Sequence, residues 1–178
     1  DRLRVSASVF RNDVDNFISQ IVEPLSFGMG PPSAGTTYNT NVDKARLNGF
    51  EVEASYLLAG IEGRLAYGQV RGKDQQTGED LTNVPADSIT AQLTNQLASS
   101  AQLGVRVIHT QDQDKTRYAA NTNNLVYDDY TTLDVYGTWA PEALGNITLD
   151  MQLNNITDRY YRKTWSQLDA VGREVIVA

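Results

Sequence analysis

Apolar side chains return at every second position along most of this chain. In LRVSASV the apolar set is Leu3, Val5, Ala7 and Val9, against Arg4, Ser6 and Ser8. In NGFEVEASYL it is Phe50, Val52, Ala54, Tyr56 and Leu58, against Glu51, Glu53 and Ser55. The runs SITAQLTNQL, AQLGVRV, YTTLDVYGTW and NITLDMQLN alternate in the same way. A period of two is the mark of strands with two different faces, and no helical period competes with it. The pattern predicts nine strands, at roughly 1–10, 16–22, 37–58, 61–71, 87–97, 101–111, 129–140, 146–156 and 172–178.

The connections between these runs sort into two kinds. RNDVD (11–15), AG (59–60), ASS (98–100) and PEALG (141–145) are short. The segments 23–35, 72–86, 111–128 and 157–171 are long and polar. Short and long alternate, so all short turns fall at one end of the strands and all long loops at the other. Outer-membrane barrels are built this way, with short periplasmic turns and longer extracellular loops. A soluble barrel would also fill its interior with apolar side chains. Here the second face carries Glu, Asp, Arg, Gln and Thr, which suits a wet lumen with the apolar face against lipid. Trp139, in the apolar phase beside a short turn, stands where an interfacial aromatic girdle belongs.

Composition narrows the chemistry. The net charge of −7 offers no basic stripe for phosphate, so a nucleic-acid partner is not expected. The absence of Cys removes disulfides and zinc–thiolate sites. One His, His109, argues against a Ser-His-Asp triad and excludes any site needing two His ligands. No catalytic residue or metal site is assigned, and the protein is not expected to be an enzyme. No run approaches eighteen apolar residues, so no membrane-spanning helix is expected. Nine strands cannot close a bacterial barrel, which normally needs an even number. The chain therefore reads as a fragment of a longer one.

LNNITDRYY, before the last strand, resembles the "N-L-x-D-x-x-Y" segment of TonB-dependent outer-membrane receptors. NVDKARLNGFEVEASY resembles their "N-x-x-x-A-x-x-x-G-x-E" strand, and TGEDLTNVPADSITAQL resembles their "L-x-N-V-P" passage from loop into strand. YTTLDVYGTW, GREV and the opening RLRVSASVFRNDVDNFISQ are similar to further family segments, in the same order. The resemblance implies that residues 1–178 are the C-terminal portion of a 22-stranded transmembrane β-barrel in the bacterial outer membrane. The plug, the earlier strands and the end of the last strand would lie outside this chain. It further implies import of an iron source with TonB-coupled energy, the TonB complex acting through the missing N-terminal region. Outer-membrane lipid and lipopolysaccharide would surround the barrel. NVDKARLNG, LDVYGTW and TDRYYRK are most like the haem and haemoglobin, or haemophore, receptors. That subfamily implies haem as the transported ligand, with haemoglobin or a haemophore as its carrier; a ferric siderophore or other nutrient is the alternative within the family. The alternative of another class is a soluble all-β binding module.

Candidate ligand contacts are the residues of the long loops and their margins that can stack on a flat ligand or pack on a carrier: Tyr38, Tyr118, Tyr127, Tyr160, Tyr161 and Trp165. His109, at the upper end of a strand, joins them as an axial nitrogen for haem, although a solvated or interfacial strand-end His is the favoured reading. Glu51, Glu53, Arg106, Asp134 and Asp150 are expected on the lumen face, paired with neighbouring strands or the plug rather than left as lone buried charges. Gly49 is expected to mark a bulge or a close backbone approach.

Overall fold

The computed structural model of this protein describes residues 2–22, 37–81, 84–115, 127–141, 143, 145, 147–164, 166 and 168–178. It is all-β in its extended elements. The strands are β1 (Arg2–Val22), β2 (Thr37–Leu58), β3 (Ile61–Asp74), β4 (Ser88–Ala98), β5 (Ala101–Thr110), β6 (Tyr130–Trp139), β7 (Leu149–Asn154) and β8 (Glu174–Val177). They form one antiparallel sheet in the order β1-β2-β3-β4-β5-β6-β7-β8, each strand paired with its sequence neighbour. The connections between β2 and β3 and between β4 and β5 are two-residue turns, and the long loops gather at the opposite end. Ala59 and Gly60 both have positive φ (50° and 84°). Such a turn carries the right-handed twist that antiparallel strands need.

Among the described residues eight strands form where nine are expected. Segments 1–10 and 16–22 are one continuous strand, and RNDVD is not a turn. β1 and β2 keep one register from Arg2↔Leu57 to Val22↔Thr37. The polar residues of RNDVD pair along and across the strands instead: Asp13 accepts from Arg11 Nε on its own strand at 2.9 Å and from Arg46 Nε on β2 at 2.5 Å. At about 3.4 Å per residue a 21-residue strand is roughly 70 Å long, and it has about twice the 9–11 residues that a tilted strand needs to cross a hydrocarbon core. RNDVD lies beyond the apolar stretch, where the outer face no longer needs to be greasy. The first strand therefore runs toward the long loops, opposite to the direction that a turn at RNDVD implies.

The register keeps the two faces separate. Leu3↔Tyr56, Val5↔Ala54, Ala7↔Val52 and Val9↔Phe50 pair on the apolar face. Leu65↔Ala91, Leu93↔Val105, Val107↔Leu133 and Leu153↔Val175 continue it across the sheet. Most of these side chains are left uncovered by protein, Val9 being 86% exposed. An apolar face of this extent is a surface for another apolar phase.

Among the described residues only Ala45, Leu81 and Val84 are buried apolar side chains, and they mark the one compact core. It lies at the long-loop end. After β3 the chain turns back at Asp74, whose carboxylate accepts the Gln76 N–H at 2.8 Å. The Leu81 N–H then donates to the Gly72 carbonyl at 3.0 Å. Leu81 and Val84 are thereby laid on Ala45, with Leu47, Val70 and Phe17 beside them. A Cβ on Gly72 would stand 2.8 Å from Val84 Cγ2, so the seat exists only because that position has no side chain. Gln113 fastens the same segment from the next loop, donating from Nε2 to the Val84 carbonyl at 2.9 Å.

Two aromatic rings lie flat across neighbouring strands in the polar phase. Phe10 covers Gly49, whose hypothetical Cβ would run into the ring and sit 2.5 Å from the Gln69 carbonyl oxygen. Of the two expected roles for Gly49 the close approach is the one present, and the β1–β2 register runs through it without a bulge. Tyr136 covers Gly104 and shares a 2.7 Å hydrogen bond with Thr94, two strands away.

Candidate functional site

The site is a cleft at the long-loop end of the polar face, between the sheet and the last loop. Its floor is an ion pair set by register. Arg106 on β5 stands opposite Asp134 on β6. Its Nε and Nη2 donate to Asp134 Oδ2 at 3.0 and 2.8 Å. The other carboxylate oxygen of Asp134 accepts the Asn155 N–H at 2.8 Å. Asp134 is only 5% exposed, and this pairing of both oxygens is what makes its burial tolerable.

The Asn-Asn that ends β7 is thereby explained. Asn155 has φ of 48°, a left-handed conformation that Asn tolerates better than most residues. Its side chain closes a ring with Arg159: Oδ1 accepts the Arg159 N–H and Nδ2 donates to the Arg159 carbonyl, both at 2.9 Å. Asp158 then accepts the Arg173 N–H at 2.8 Å, and Arg173 Nε donates to the Ile156 carbonyl at 3.0 Å. The two ends of the last loop are clipped together above the Arg106–Asp134 pair.

Aromatic side chains form the upper wall. Tyr161 stacks on Tyr130, ring centres 4.1 Å apart and planes 24° from parallel. Burial pushes the Tyr161 phenol above its ordinary range. The Tyr160 hydroxyl donates to Asp169, which also accepts from Arg162 Nε at 2.8 Å. The hydrogen bond to Asp169 raises the Tyr160 pKa. Both shifts favour the neutral phenol, the form that stacks and donates hydrogen bonds. The cleft measures about 490 Å³ and is lined by Arg106, Asp134, Asn155, Tyr161, Lys163 and Glu174, among others. That lies within the roughly 300–1,000 Å³ typical of small-molecule sites. A neighbouring recess joins Tyr127, Asp128 and Asp129 to Tyr160, Tyr161 and Asp169.

The structure thus brings Tyr127, Tyr160 and Tyr161 together, with Arg106 and Asp134 below them. Glu51, Glu53 and Asp150 lie on the same polar face, in other places. Arg64 Nε stands 3.6 Å from Glu53, and Thr138 donates to Asp150 at 2.7 Å. His109 is not in the cleft. It alternates with Arg106 and Ile108, so its ring lies in the phase of Val105 and Val107, where Nδ1 and the Thr131 hydroxyl stand 2.9 Å apart. Tyr118, Trp165 and the side chain of Tyr38 lie outside the described residues.

One polar cluster is not announced by the sequence pattern. Asp87, just before β4, accepts from Tyr67, from Gln69 Nε2 at 2.8 Å, and from both Arg71 terminal nitrogens at 2.5 and 2.7 Å. Its carbonyl also receives the Gln111 N–H, so it pins one loop to the start of the next. The Arg71 guanidinium foremost, with Gln69 and Tyr67, holds the Asp87 carboxyl below the usual carboxylate range. A depressed folded-state pKa stabilises above the unfolded value of about 3.9, and this contribution is lost as pH falls through the folded value. The loop is expected to stay pinned at pH 5. Arg71→Ala removes the main cause, so loosening should set in at a higher pH than in the unaltered protein. Limited proteolysis of loop 75–87 across pH 3–7 checks this; coincident profiles for the two proteins would refute it.

Comparison with known proteins agrees with this architecture. The family model described as TonB dependent receptor-like, beta-barrel matches residues 1–156. The chain is 29% identical over 193 residues to heme/hemopexin utilization protein C of Haemophilus influenzae (strain Rd), covering all of this chain and 26% of that protein. It is 34% identical over 104 residues to a hemin receptor of Yersinia enterocolitica, covering 56% of this chain and 15% of that one. The chain spans about a quarter of the length of the relatives it matches end to end. Among solved structures it is similar to the copper transporter OprC (TM-score 0.76, 20% identity, 97% of this chain and 28% of that one). It is also similar to the FrpB iron transporter of Neisseria meningitidis (TM-score 0.72, 18% identity, 98% and 27%). Those two likenesses concern the fold. With the family match over most of its length, the alternating faces and the one-ended long loops, the chain belongs to the TonB-dependent receptor-like β-barrel family.

Proposed function

We propose that the complete protein is an outer-membrane receptor that binds haem and imports it with TonB-coupled energy, and that residues 1–178 form the C-terminal part of its barrel wall. The family is one of transport receptors rather than enzymes, and its members are outer-membrane β-barrels. The observation that carries the haem reading is the cleft over the polar face together with its adjoining recess: Tyr161, backed by Tyr130, lines both, and Tyr127 and Tyr160 line the recess. Flat aromatic walls suit a planar, largely apolar ligand. The names of the haem-utilisation and hemin-receptor relatives support the same ligand. In this reading Glu51, Glu53, Arg106, Asp134 and Asp150 line the lumen, and the apolar face meets lipid and lipopolysaccharide. A plug and the TonB-contacting segment belong to the remainder of the protein. The loops take haem free or from a carrier such as haemoglobin or a haemophore.

Titration of the complete receptor in detergent is the test. Haem is expected to give a saturable change in its absorption band, with micromolar or tighter affinity, and a ferric catecholate siderophore is expected not to compete. Saturable siderophore binding with no haem signal would move the protein to the alternative ligand class.

A further inference from the structure

We infer that Lys163 recognises the anionic edge of the ligand, so that a porphyrin is selected for its carboxylates as well as for its flat face. This rests on the haem reading of the cleft. The cleft is lined by five charged side chains among the described residues: Arg106, Asp134, Lys163, Asp169 and Glu174. Four of them are already engaged. Arg106 and Asp134 hold each other. Asp169 holds Arg162 and the Tyr160 hydroxyl. Glu174 accepts from Asn154 Nδ2 at 3.3 Å. Lys163 alone has no ion pair with a described residue, and it projects from the loop two positions after the stacked Tyr161.

That placement has a chemical consequence. A ring lying against Tyr161 exposes its rim to the next residues along the loop. An ammonium there, with three donors and no acid of its own, meets a carboxylate without first breaking another contact. Arg106 is a poorer partner for the ligand, because engaging it would strip Asp134, which is 5% exposed, of its counter-charge. The carboxylates that Asp169 and Glu174 present are each tied to a donor of their own, which leaves Lys163 as the cationic group open to an incoming anion.

The test pairs a change in the protein with a change in the ligand. The unaltered complete receptor and its Lys163→Met and Lys163→Arg variants are titrated with haem and with the dimethyl ester of haem. The unaltered receptor should prefer the diacid. Lys163→Met should weaken diacid binding roughly threefold to tenfold, as expected for one partly exposed charge-assisted hydrogen bond. It should leave ester binding unchanged, and Lys163→Arg should restore the preference. Equal affinities of the unaltered receptor and the Lys163→Met variant for the diacid would overturn the inference. So would a loss that is the same for diacid and ester, since it would mean only a disturbed loop. If the unaltered receptor binds neither porphyrin, the haem reading itself falls and the inference falls with it.

Discussion

Gly49→Ala is expected to lower the stability of the folded barrel by about 3 kcal/mol, the upper part of the range for forcing extra volume into a packed site. The added methyl would meet the Phe10 ring on one side and the Gln69 carbonyl oxygen, at 2.5 Å, on the other. A ring can swing away, but the carbonyl belongs to the β2–β3 ladder, and moving it breaks register with β3. Phe10→Ala combined with Gly49→Ala should therefore rescue only part of the loss. Gly63→Ala is the control, because its Cβ would find nothing closer than 4.0 Å. The measurement is the temperature at which the folded, fast-migrating band of the complete receptor disappears on an unheated detergent gel. If Gly49→Ala and Gly63→Ala melt together, the crowding argument is wrong.

Asp134→Ala should release the last loop. The substitution strips Arg106 of its counter-charge and leaves the Asn155 N–H, buried at the loop's base, without its acceptor. Arg106 is 37% exposed at its side chain, so water offsets part of its loss. The greater part of the cost comes from the amide, and about 2–3 kcal/mol is expected for the pair. Trypsin reads the outcome, since Arg159, Arg162, Lys163 and Arg173 all lie in the segment that would come free. Asp134→Asn keeps an oxygen for the Asn155 N–H and should be cut more slowly than Asp134→Ala. On the proposed haem reading, haem affinity should fall in the same order, as the wall carrying Tyr161 loses its fixed position. Equal cleavage rates in all three proteins would refute the arrangement.

The strands are legible because one physical requirement, an apolar outer face, writes itself at every second residue. The same requirement explains the difference at RNDVD. Above the apolar band the outer face is polar, so Arg11, Asp13 and Asp15 interrupt the alternation without interrupting the strand. Only the pairing partner, Arg46, distinguishes such a stretch from a turn, and it lies 33 residues away. The inward fold of loop 75–87 is hidden for a related reason. Leu81 and Val84 stand in a segment with no period, and what they cover, Ala45, is small and lies in another strand. The Asn-Asn at the end of β7 signals that something other than a tight turn follows. It does not reveal Asp134 as the acceptor beneath it, because that contact depends on how far the sheet has twisted. The loop tyrosines are identifiable as a class, whereas their stacking partner Tyr130 reads in the sequence simply as part of a strand.

The unbroken order of the sheet, each strand beside its sequence neighbour, also bears on how the structure comes to exist. Among the described strands every pairing is between sequence neighbours, so within this sheet no strand waits for a distant partner to arrive. The hairpins differ in how far the chain must reach to begin. The β2–β3 turn spans two residues, Ala59 and Gly60, while the β1–β2 connection spans 23–36. By the logarithmic dependence of closure entropy on length, the shorter loop is favoured by about 1.7 kcal/mol. Zippering therefore starts at the tight turns and climbs toward the long loops. By this argument β1 adds to a β2 that β3 already holds. The long-loop end, which carries the aromatic cleft, is thus expected to take its shape after the tight-turn end.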